Sequence, residues 1–136
     1  MRVAIQHYQP SYRAEKLTEV SAAQLEEILH RVAVETGSTL EVKPAHGEYP
    51  SLIVAVDAGR FTVTAIVGPD AFYDRLGDPN AVGSVALVIG GQLIDEVPAR
   101  FVLNLQQVRE VTGDYAAADR FTIARDWVRQ GLGPWK

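Results

Sequence analysis

Carboxylate side chains recur at a fixed spacing near the middle of the chain. Asp70, Asp74 and Asp78 stand four residues apart and enclose an aromatic pair, Phe72 and Tyr73. Neighbouring carboxyl groups can perform general acid–base chemistry when burial raises the pKa of one of them. Glycine and proline interrupt this segment, which predicts an exposed loop that leaves the carboxylates hydrated. The spacing also lacks the central glycine and final glutamate of a calcium-binding loop. We therefore expect a hydrated loop or a protein contact here.

The histidines and the known catalytic motifs give no better candidate for chemistry. Glu27 and His30 match the Glu-x-x-His spacing of carboxylate-bridged di-metal bundles, but such sites need a second copy and two further glutamates. His30 is better explained as a cation near a helix C-terminus. The chain has no cysteine, and it lacks the phosphate-binding, dinucleotide-binding and nucleophile-elbow motifs. We therefore expect no metal, no cofactor and no catalytic centre, which favours a protein that is not an enzyme.

The charge of the chain is unevenly distributed. There are 13 Lys and Arg against 17 Asp and Glu, a formal net charge of −4, and this disfavours binding to nucleic acid. Between residues 68 and 97 five acids stand with a single arginine, so this segment accounts for the whole imbalance. Such acids are usually solvated loop residues. Alternatively they form a patch that steers a basic macromolecule into contact, with an exposed tyrosine as an interface hot spot. On that second interpretation the contact residues are Asp70, Tyr73, Asp74, Asp78, Asp95 and Glu96.

One helix has clear sequence signals at both ends. Ser21 and Gln24 have the spacing of a capping box, in which each side chain binds a free backbone N–H at the helix start. Apolar residues recur at helical spacing over Leu25–Val32. Gly37 suits the left-handed conformation that ends many helices. The sequence therefore predicts a helix over Ser21–Thr36.

Alternating and β-branched segments predict strands on both sides of this helix. Short turns containing glycine separate two pairs of these strands, at residues 58–60 and 90–91, and such turns are typical of hairpins. A segment rich in Gly, Pro, Asp and Asn, residues 68–83, predicts a loop between the two hairpins. The predicted strands are Val3–Gln9, Thr39–Lys43, Ser51–Asp57, Phe61–Val67, Ser84–Ile89 and Gln92–Val97.

The C-terminal region is helical in composition. Residues 104–131 keep helical apolar spacing in two stretches, with Gly113 between them and Asp114 as a cap for the second. Trp127 is predicted at the edge of the core, and Trp135 is predicted to pack back on the sheet. Together the elements predict an α+β fold, with an antiparallel sheet of about five to six strands and an N-terminal and a C-terminal helix packed on one face. We expect one domain over residues 1–136.

The hydropathy of the chain favours a cytoplasmic protein. No apolar run reaches the ~18 residues that a membrane helix needs. The first residues lack the apolar stretch of a secretion signal. We therefore expect no contact with a membrane.

The second half of the chain resembles a known family. Family-one immunity proteins of bacterial polymorphic toxin systems commonly have a Gly-Asp-Pro loop, a strand, a Gly-Gly turn and a short strand that ends near a proline. They then have a C-terminal helix followed by glycine, proline and tryptophan. The likeness covers roughly residues 50–136. The residues that carry it are Leu76–Gly83, Ser84–Gly91, Glu96–Arg100, Gly131, Pro134 and Trp135.

The resemblance implies a non-enzymatic antidote that binds one cognate toxin domain, in some systems a deaminase or a nuclease. A toxin that acts on nucleic acid has a basic surface, and an acidic inhibitor would complement it. Two alternatives remain open. One is a small-ligand-binding or enzymatic domain with a cleft between the sheet and the C-terminal helix that includes His7 or His46. The other is a structural subunit that pairs through an exposed strand edge, and the choice between monomer and homodimer is open as well.

Overall fold

The structure is a computed structural model that describes residues 1–117 and 121–136. The described residues form two α-helices, α1 (Ala22–Val32) and α2 (Leu105–Ala117), and a short 3-10 helix at Ala99–Phe101. The strands among them are β1 (Arg2–His7), β2 (Arg13–Leu17), β3 (Thr36–Lys43), β4 (Ser51–Asp57), β5 (Arg60–Gly68), β6 (Ala71–Arg75), β7 (Ser84–Ile89), β8 (Gln92–Pro98) and β9 (Trp127–Arg129).

Seven of these strands form one antiparallel sheet. Their order is β2–β1–β3–β4–β5–β6–β9. Strands β7 and β8 pair with each other in a separate two-stranded sheet. The predicted α+β class with a large antiparallel sheet is confirmed. The sheet has more strands than predicted, and the second predicted hairpin lies outside it.

Helix α1 begins as predicted and ends earlier. The Ser21 hydroxyl accepts a hydrogen bond from the Gln24 backbone N–H (3.1 Å), and the Gln24 side chain accepts one from the Ser21 N–H (2.8 Å). This reciprocal capping box satisfies two donors that the first helical turn leaves free. The helix stops at Val32, so its predicted extension to Thr36 is wrong.

Gly37 has a different role from the predicted one. It does not end the helix but lies in β3, at the shift of register between β3 and β4, with φ +77°. A Cβ at this position would lie 2.8 Å from the Val88 side chain of β7. Gly37 thus permits both the left-handed backbone and the close approach of the β7–β8 hairpin.

The sequence pattern does not predict three of the strands, and each has a physical reason. Strand β2 is a largely exposed edge strand with charged residues, so it needs no apolar alternation. Strand β6 lies within the segment predicted as a loop, where its apolar residues are mixed with acids. Strand β9 has three residues and pairs with β6, although helical spacing favoured a helix there. Strand β2 pairs with the adjacent β1, and β6 and β9 pair with each other across a long stretch of chain. Neither pairing leaves a periodic apolar signal within the strand itself.

The described part of the C-terminal region forms one helix, where two helical stretches are predicted. Helix α2 runs through Gly113 and Asp114, which were predicted to interrupt and restart it. Its start has a reciprocal cap between Asn104 and Gln107, with both hydrogen bonds at 2.9 Å. Residues 121–136 contain no helix, so the predicted second helical stretch is wrong there, and its residues 118–120 lie outside the described residues.

One apolar cluster connects the main sheet to both helices. It includes alternate residues of β1, β3, β4 and β5, and the sheet face that carries them is called the core face below. Tyr115 of α2 belongs to the cluster, and its hydroxyl donates to the Pro50 carbonyl oxygen (2.7 Å). Burial raises the pKa of Tyr115 to about 12. Fully buried members of the cluster include Ile5, Leu25, Leu29, Leu40, Val54, Phe61 and Val108.

The β7–β8 hairpin is attached to the main sheet through backbone groups. The Val88 N–H donates to the Asp57 carboxylate (3.0 Å), and the Gly91 N–H donates to the Gly37 carbonyl oxygen (3.3 Å). These bonds place β7 against β3 and β4 and leave β8 farther from the sheet. In the part of the chain that the structure describes, no helix has the length and apolar character of a membrane span.

Candidate functional site

The six residues predicted to contact a partner lie in two regions of the fold. Asp70, Tyr73, Asp74 and Asp78 lie on β6 or beside its ends, and Asp95 and Glu96 lie on β8. Four of the six are exposed, whereas Tyr73 is half-buried and Asp74 is buried.

Asp74 is 2% exposed and serves as an internal hydrogen-bond acceptor. Its carboxylate accepts hydrogen bonds from the Thr64 hydroxyl (2.8 Å), the Gln130 side-chain amide (2.9 Å) and the Trp135 backbone N–H (2.6 Å). The prediction of an exposed carboxylate in a loop is therefore wrong, because β6 pairs on both sides and the C-terminal residues cover it. The bond from the Trp135 backbone N–H holds the C-terminal segment against the sheet, whereas the prediction concerned packing of the Trp135 side chain.

Tyr73 points to the core face. It is half-buried and packs against the apolar cluster, and the Arg129 guanidinium lies 5.9 Å from the centre of its ring. The prediction of an exposed aromatic among acids is wrong, because Tyr73 alternates with Asp74 on a paired strand. Trp127, in contrast, lies at the edge of the core as predicted, with its ring at an edge-to-face angle to Phe121.

Asp70 and Asp78 are exposed but lie beyond opposite ends of β6. Five strand residues separate them, which corresponds to about 17 Å of extended chain. The Asp78 carboxylate accepts a hydrogen bond from the Asn80 N–H (2.9 Å). The preceding Gly77 donates its N–H to the Arg100 carbonyl oxygen (2.7 Å). This bond holds the Asp78 loop against the segment that follows β8.

A bulge places Asp95 and Glu96 together on the hairpin. Val85 pairs with Val97 and Leu87 pairs with Ile94, so two residues of β8 oppose the single Ala86 of β7. Those two residues are Asp95 and Glu96, and both are exposed. We call Ser84–Pro98 the acidic hairpin, because its sequence contains these two acids and no Lys, Arg or His.

No basic side chain among the described residues forms an ion pair with the exposed acids. Among the described residues, Asp70, Asp78, Asp95 and Glu96 form no ion pair. The structure therefore brings Asp95 and Glu96 together on β8 and ties the Asp78 loop to the segment that follows this strand, whereas Asp70 lies beyond the other end of β6. The candidate contact surface is the acidic hairpin and the Asp78 loop.

A second cluster of titratable groups was not predicted. His7 is 2% exposed, with Nδ1 2.5 Å from a Glu35 carboxylate oxygen and Nε2 2.5 Å from a Glu15 carboxylate oxygen. The Ser38 hydroxyl donates to Glu35 (2.8 Å), and an Arg31 nitrogen lies 3.5 Å from Glu15. Each ring nitrogen of His7 therefore lies within hydrogen-bonding distance of one carboxylate. We call this group the Glu15–His7–Glu35 cluster.

Both glutamates of the cluster have lowered pKa values. The hydrogen bond from His7 is the main cause of the lowered pKa of Glu15, and Arg31 and Arg13 add to it. For Glu35 burial is the largest influence and raises the pKa, but hydrogen bonds from His7 and Ser38 and nearby positive charge outweigh it. Because His7 is buried, a substrate has no direct access to the ring. The cluster therefore links β1, β2 and the start of β3 through side-chain hydrogen bonds.

One sequence signal could have pointed to this cluster. Val3, Ile5 and His7 alternate along β1, which places the histidine on the core face with two buried apolar residues. A buried polar ring requires hydrogen-bond partners. The partners themselves lie on the unpredicted strand β2 and just beyond the end of α1, so their identity required the structure.

A cleft lies at the far end of the main sheet, beside α2. Its volume is about 490 Å³, and its lining includes Arg75, Asp114, Asp126 and Trp127. The Arg75 guanidinium lies 5.9 Å from the centre of the Trp127 ring and 3.8 Å from the Asp126 carboxylate. This cleft lies between the sheet and the C-terminal helix, the region in which the alternative function places its ligand. His7 and His46, which were considered for it, do not line it.

Neither a family model nor a curated protein matches the chain. Within residues 1–117 and 121–136, no group of three or more His, Cys, Asp or Glu side chains has the arrangement of a metal site.

Proposed function

We propose that this protein is an immunity protein that binds a cognate bacterial toxin domain in the cytoplasm and neutralises it by protein–protein contact. The observation that carries the proposal is the acidic hairpin, a strand pair outside the main sheet whose Asp95 and Glu96 side chains are both exposed and form no ion pair with any residue that the structure describes. The loop and turns that resemble the immunity family build this hairpin and the adjacent Asp78 loop.

Charge complementarity supports the proposal. A domain that acts on nucleic acid needs a basic surface to bind phosphates, and an inhibitor that occupies this surface gains from opposite charge. The hairpin has negative side chains and no positive ones. A stable contact needs about 800 Å² on each partner, so the hairpin and the Asp78 loop would form the centre of a larger footprint.

The placement of the helices is part of the proposal. Both helices contribute to the apolar cluster of the core face, and they contact one another. In the proposed arrangement both helices cover that single face. The hairpin side of the molecule is then left for the toxin.

The direct test is protection of bacterial cells that produce the toxin domain encoded beside this protein. We expect co-expression to restore growth and the purified proteins to form a stoichiometric complex by gel filtration. Asp95→Asn with Glu96→Gln should weaken binding about tenfold, since two complementary charges are removed. The proposal is contradicted if co-expression fails to restore growth against an active toxin domain and the two purified proteins form no complex.

A matched control separates the local effect from net charge. Glu19→Gln with Glu27→Gln removes the same number of charges from two other exposed glutamates. This variant should bind like the wild type. Equal weakening by both double variants shows that only the total charge matters, and this contradicts the hairpin as the contact surface.

A second candidate function is binding of a small ligand in the cleft beside α2. The observation in its favour is the joint presence of a guanidinium, a carboxylate and an indole in its lining. Such a ligand should raise the melting temperature and quench Trp127 fluorescence in a Trp135→Phe background. An Arg75→Ala variant that responds to the compound as strongly as the wild type contradicts this candidate.

A further inference from the structure

The outer edge of β8 has unused backbone hydrogen-bonding groups. Ile89 and Gln92 enclose a two-residue turn in which Gly90 and Gly91 have φ +57° and +77°, the conformation of a type I′ turn whose flanking residues are hydrogen-bonded to each other. Hydrogen-bonded and non-hydrogen-bonded pairs alternate along an antiparallel ladder. The next pair, Val88 with Leu93, is therefore a non-hydrogen-bonded pair.

The backbone groups of Val88 and Leu93 that point out of the hairpin have different surroundings. The Val88 N–H points away from β8 and donates to Asp57 of the main sheet (3.0 Å). Leu93 correspondingly turns its N–H and carbonyl away from β7. Its side chain is 63% exposed, and no described strand pairs with this side of β8. One edge of the hairpin is thus anchored, and the other offers a donor and an acceptor to solvent.

The residues beside this edge define the chemistry of its occupant. Leu93 presents an exposed apolar side chain, and the bulge at Asp95 and Glu96 places two negative charges next to it. The bulge also interrupts regular pairing, so the edge can accept a strand only over a few residues, from Gln92 to Ile94. An extended peptide with an apolar residue and flanking Lys or Arg matches these features.

We propose that β8 accepts an extended, basic segment of the bound toxin domain as a third strand of the acidic hairpin. The backbone of that segment pairs with the N–H and carbonyl of Leu93, and its basic side chains meet Asp95 and Glu96. This inference rests on the proposed function and specifies how the partner is recognised. It also agrees with the attachment of the hairpin to the main sheet through Val88 of β7 and Gly91 of the turn, which leaves the outer edge of β8 open.

Substitution of Leu93 by proline tests the backbone contact. Proline removes the outward N–H without loss of a bond between β7 and β8. We expect Leu93→Pro to weaken toxin binding about tenfold, since one interfacial hydrogen bond is lost and a partner carbonyl is left unpaired. Leu93→Ala keeps the N–H and removes most of the side chain, so it should weaken binding less. Melting temperatures of the free variants show whether the hairpin remains folded.

Amide hydrogen exchange gives a second readout that needs no variant. The Leu93 amide should exchange rapidly in the free protein and become protected in the complex. Leu93→Pro with wild-type affinity, or an unprotected Leu93 amide in a stable complex, overturns strand pairing and leaves the proposed function intact. Failure of the wild-type protein to bind the toxin at all is the distinct outcome that removes the proposed function.

Self-association is the remaining outcome. If the wild-type protein is a dimer by light scattering and Leu93→Pro converts it to a monomer, a second copy occupies the edge. That result overturns the assignment of the edge to the toxin.

Discussion

The carboxylate of Asp74 joins β6 to the neighbouring strand and to the C-terminal region of the chain. Strand β5 contributes the Thr64 hydroxyl, and the C-terminal region contributes the Gln130 amide and the Trp135 N–H. A hydrogen bond to a charged group contributes about 1.5–3 kcal/mol, and a buried donor without an acceptor costs a similar amount. This side chain therefore attaches the C-terminal residues to the sheet and is not available to a partner.

Replacement of Asp74 by alanine should lower the free energy of unfolding by about 2–4 kcal/mol, because buried donors lose their acceptor. Urea denaturation measures this change. In a Trp127→Phe background the emission of Trp135 should also shift to longer wavelength as its segment detaches. The exposed Asp70 provides the control, and Asp70→Ala should change stability by less than about 0.5 kcal/mol. Similar losses in both variants contradict this role of Asp74.

The Glu15–His7–Glu35 cluster predicts a loss of stability in acid. Both glutamates have pKa values below their ordinary 4.5 in the folded protein, so at acidic pH the unfolded chain binds more protons than the native state. The cluster then stabilises the fold fully above pH 4.5, and this contribution disappears as the pH falls through the lowered pKa values. Melting temperatures measured from about pH 3 to about pH 7 should show this dependence.

Glutamine variants identify the groups responsible for that acid dependence. Glu35→Gln should be less stable than the wild type near neutral pH and should lose less stability on acidification. Glu27→Gln alters an exposed glutamate and should follow the wild-type curve. An unchanged slope in Glu35→Gln shows that the acid sensitivity arises elsewhere.

Sequence patterns locate a residue on a face more easily than they identify its partner. Alternation in β1 places His7 with the core residues, but Glu15 and Glu35 come from elements whose packing the sequence does not reveal. For Asp74 the local composition is misleading, because glycine, proline and acids surround a short strand. Its burial depends on β9 and Trp135, which lie far away in the chain.

At the level of elements, Gly37 sets the relation between the acidic hairpin and the main sheet. Its left-handed conformation lies at a change of register in β3, and its carbonyl oxygen accepts the Gly91 N–H. The absence of a side chain lets Val88 approach and bond to Asp57. A small backbone feature thus positions the surface assigned to the partner.

Gly37→Ala should destabilise the protein by about 2–4 kcal/mol, from the left-handed conformation and the contact with Val88 together. Gly47 is a matched control, since it has φ +84° but no atom within 4 Å of the point that a Cβ would occupy. Gly47→Ala should cost only about 1–2 kcal/mol. Urea denaturation compares the two, and a Gly37→Ala variant no less stable than Gly47→Ala contradicts the steric role.

The elements that the sequence predicts well are those with local signals. The capping box of α1 and the β-branched strands β4 and β5 depend on neighbours in the chain, and their predicted positions agree closely with the structure. Strands β2, β6 and β9 depend on pairing partners, so local patterns predict a loop or a helix for two of them. The missed elements are therefore those that lack an apolar pattern of their own, because they are exposed at an edge or depend on a partner far away in the chain.

At the scale of the whole molecule, the negative charge is modest in total and locally concentrated. The formal net charge is −4, and the acidic hairpin contains two of the acids without a basic residue. Exposed charges of this kind influence the rate of encounter more than the strength of the final contact. The proposed toxin contact should therefore depend on salt mainly through association.

The association rate with the toxin domain should fall about tenfold between roughly 50 mM and 500 mM salt, because ions screen exposed charges. The dissociation rate should change much less over the same range. Surface plasmon resonance measures both rates. In Asp95→Asn with Glu96→Gln the dependence on salt should be weaker, whereas an identical dependence indicates that other acids steer the encounter.

The pairing of β6 with β9 has a consequence for the order in which the protein acquires its structure. Strands β6 and β9 are neighbours in the sheet, but the acidic hairpin and α2 come between them in the sequence. Contacts between distant residues require closure of a long loop and tend to form late. During synthesis, β6 is therefore the open border of the growing sheet until β9 has emerged, which happens only after the hairpin and α2 have been made.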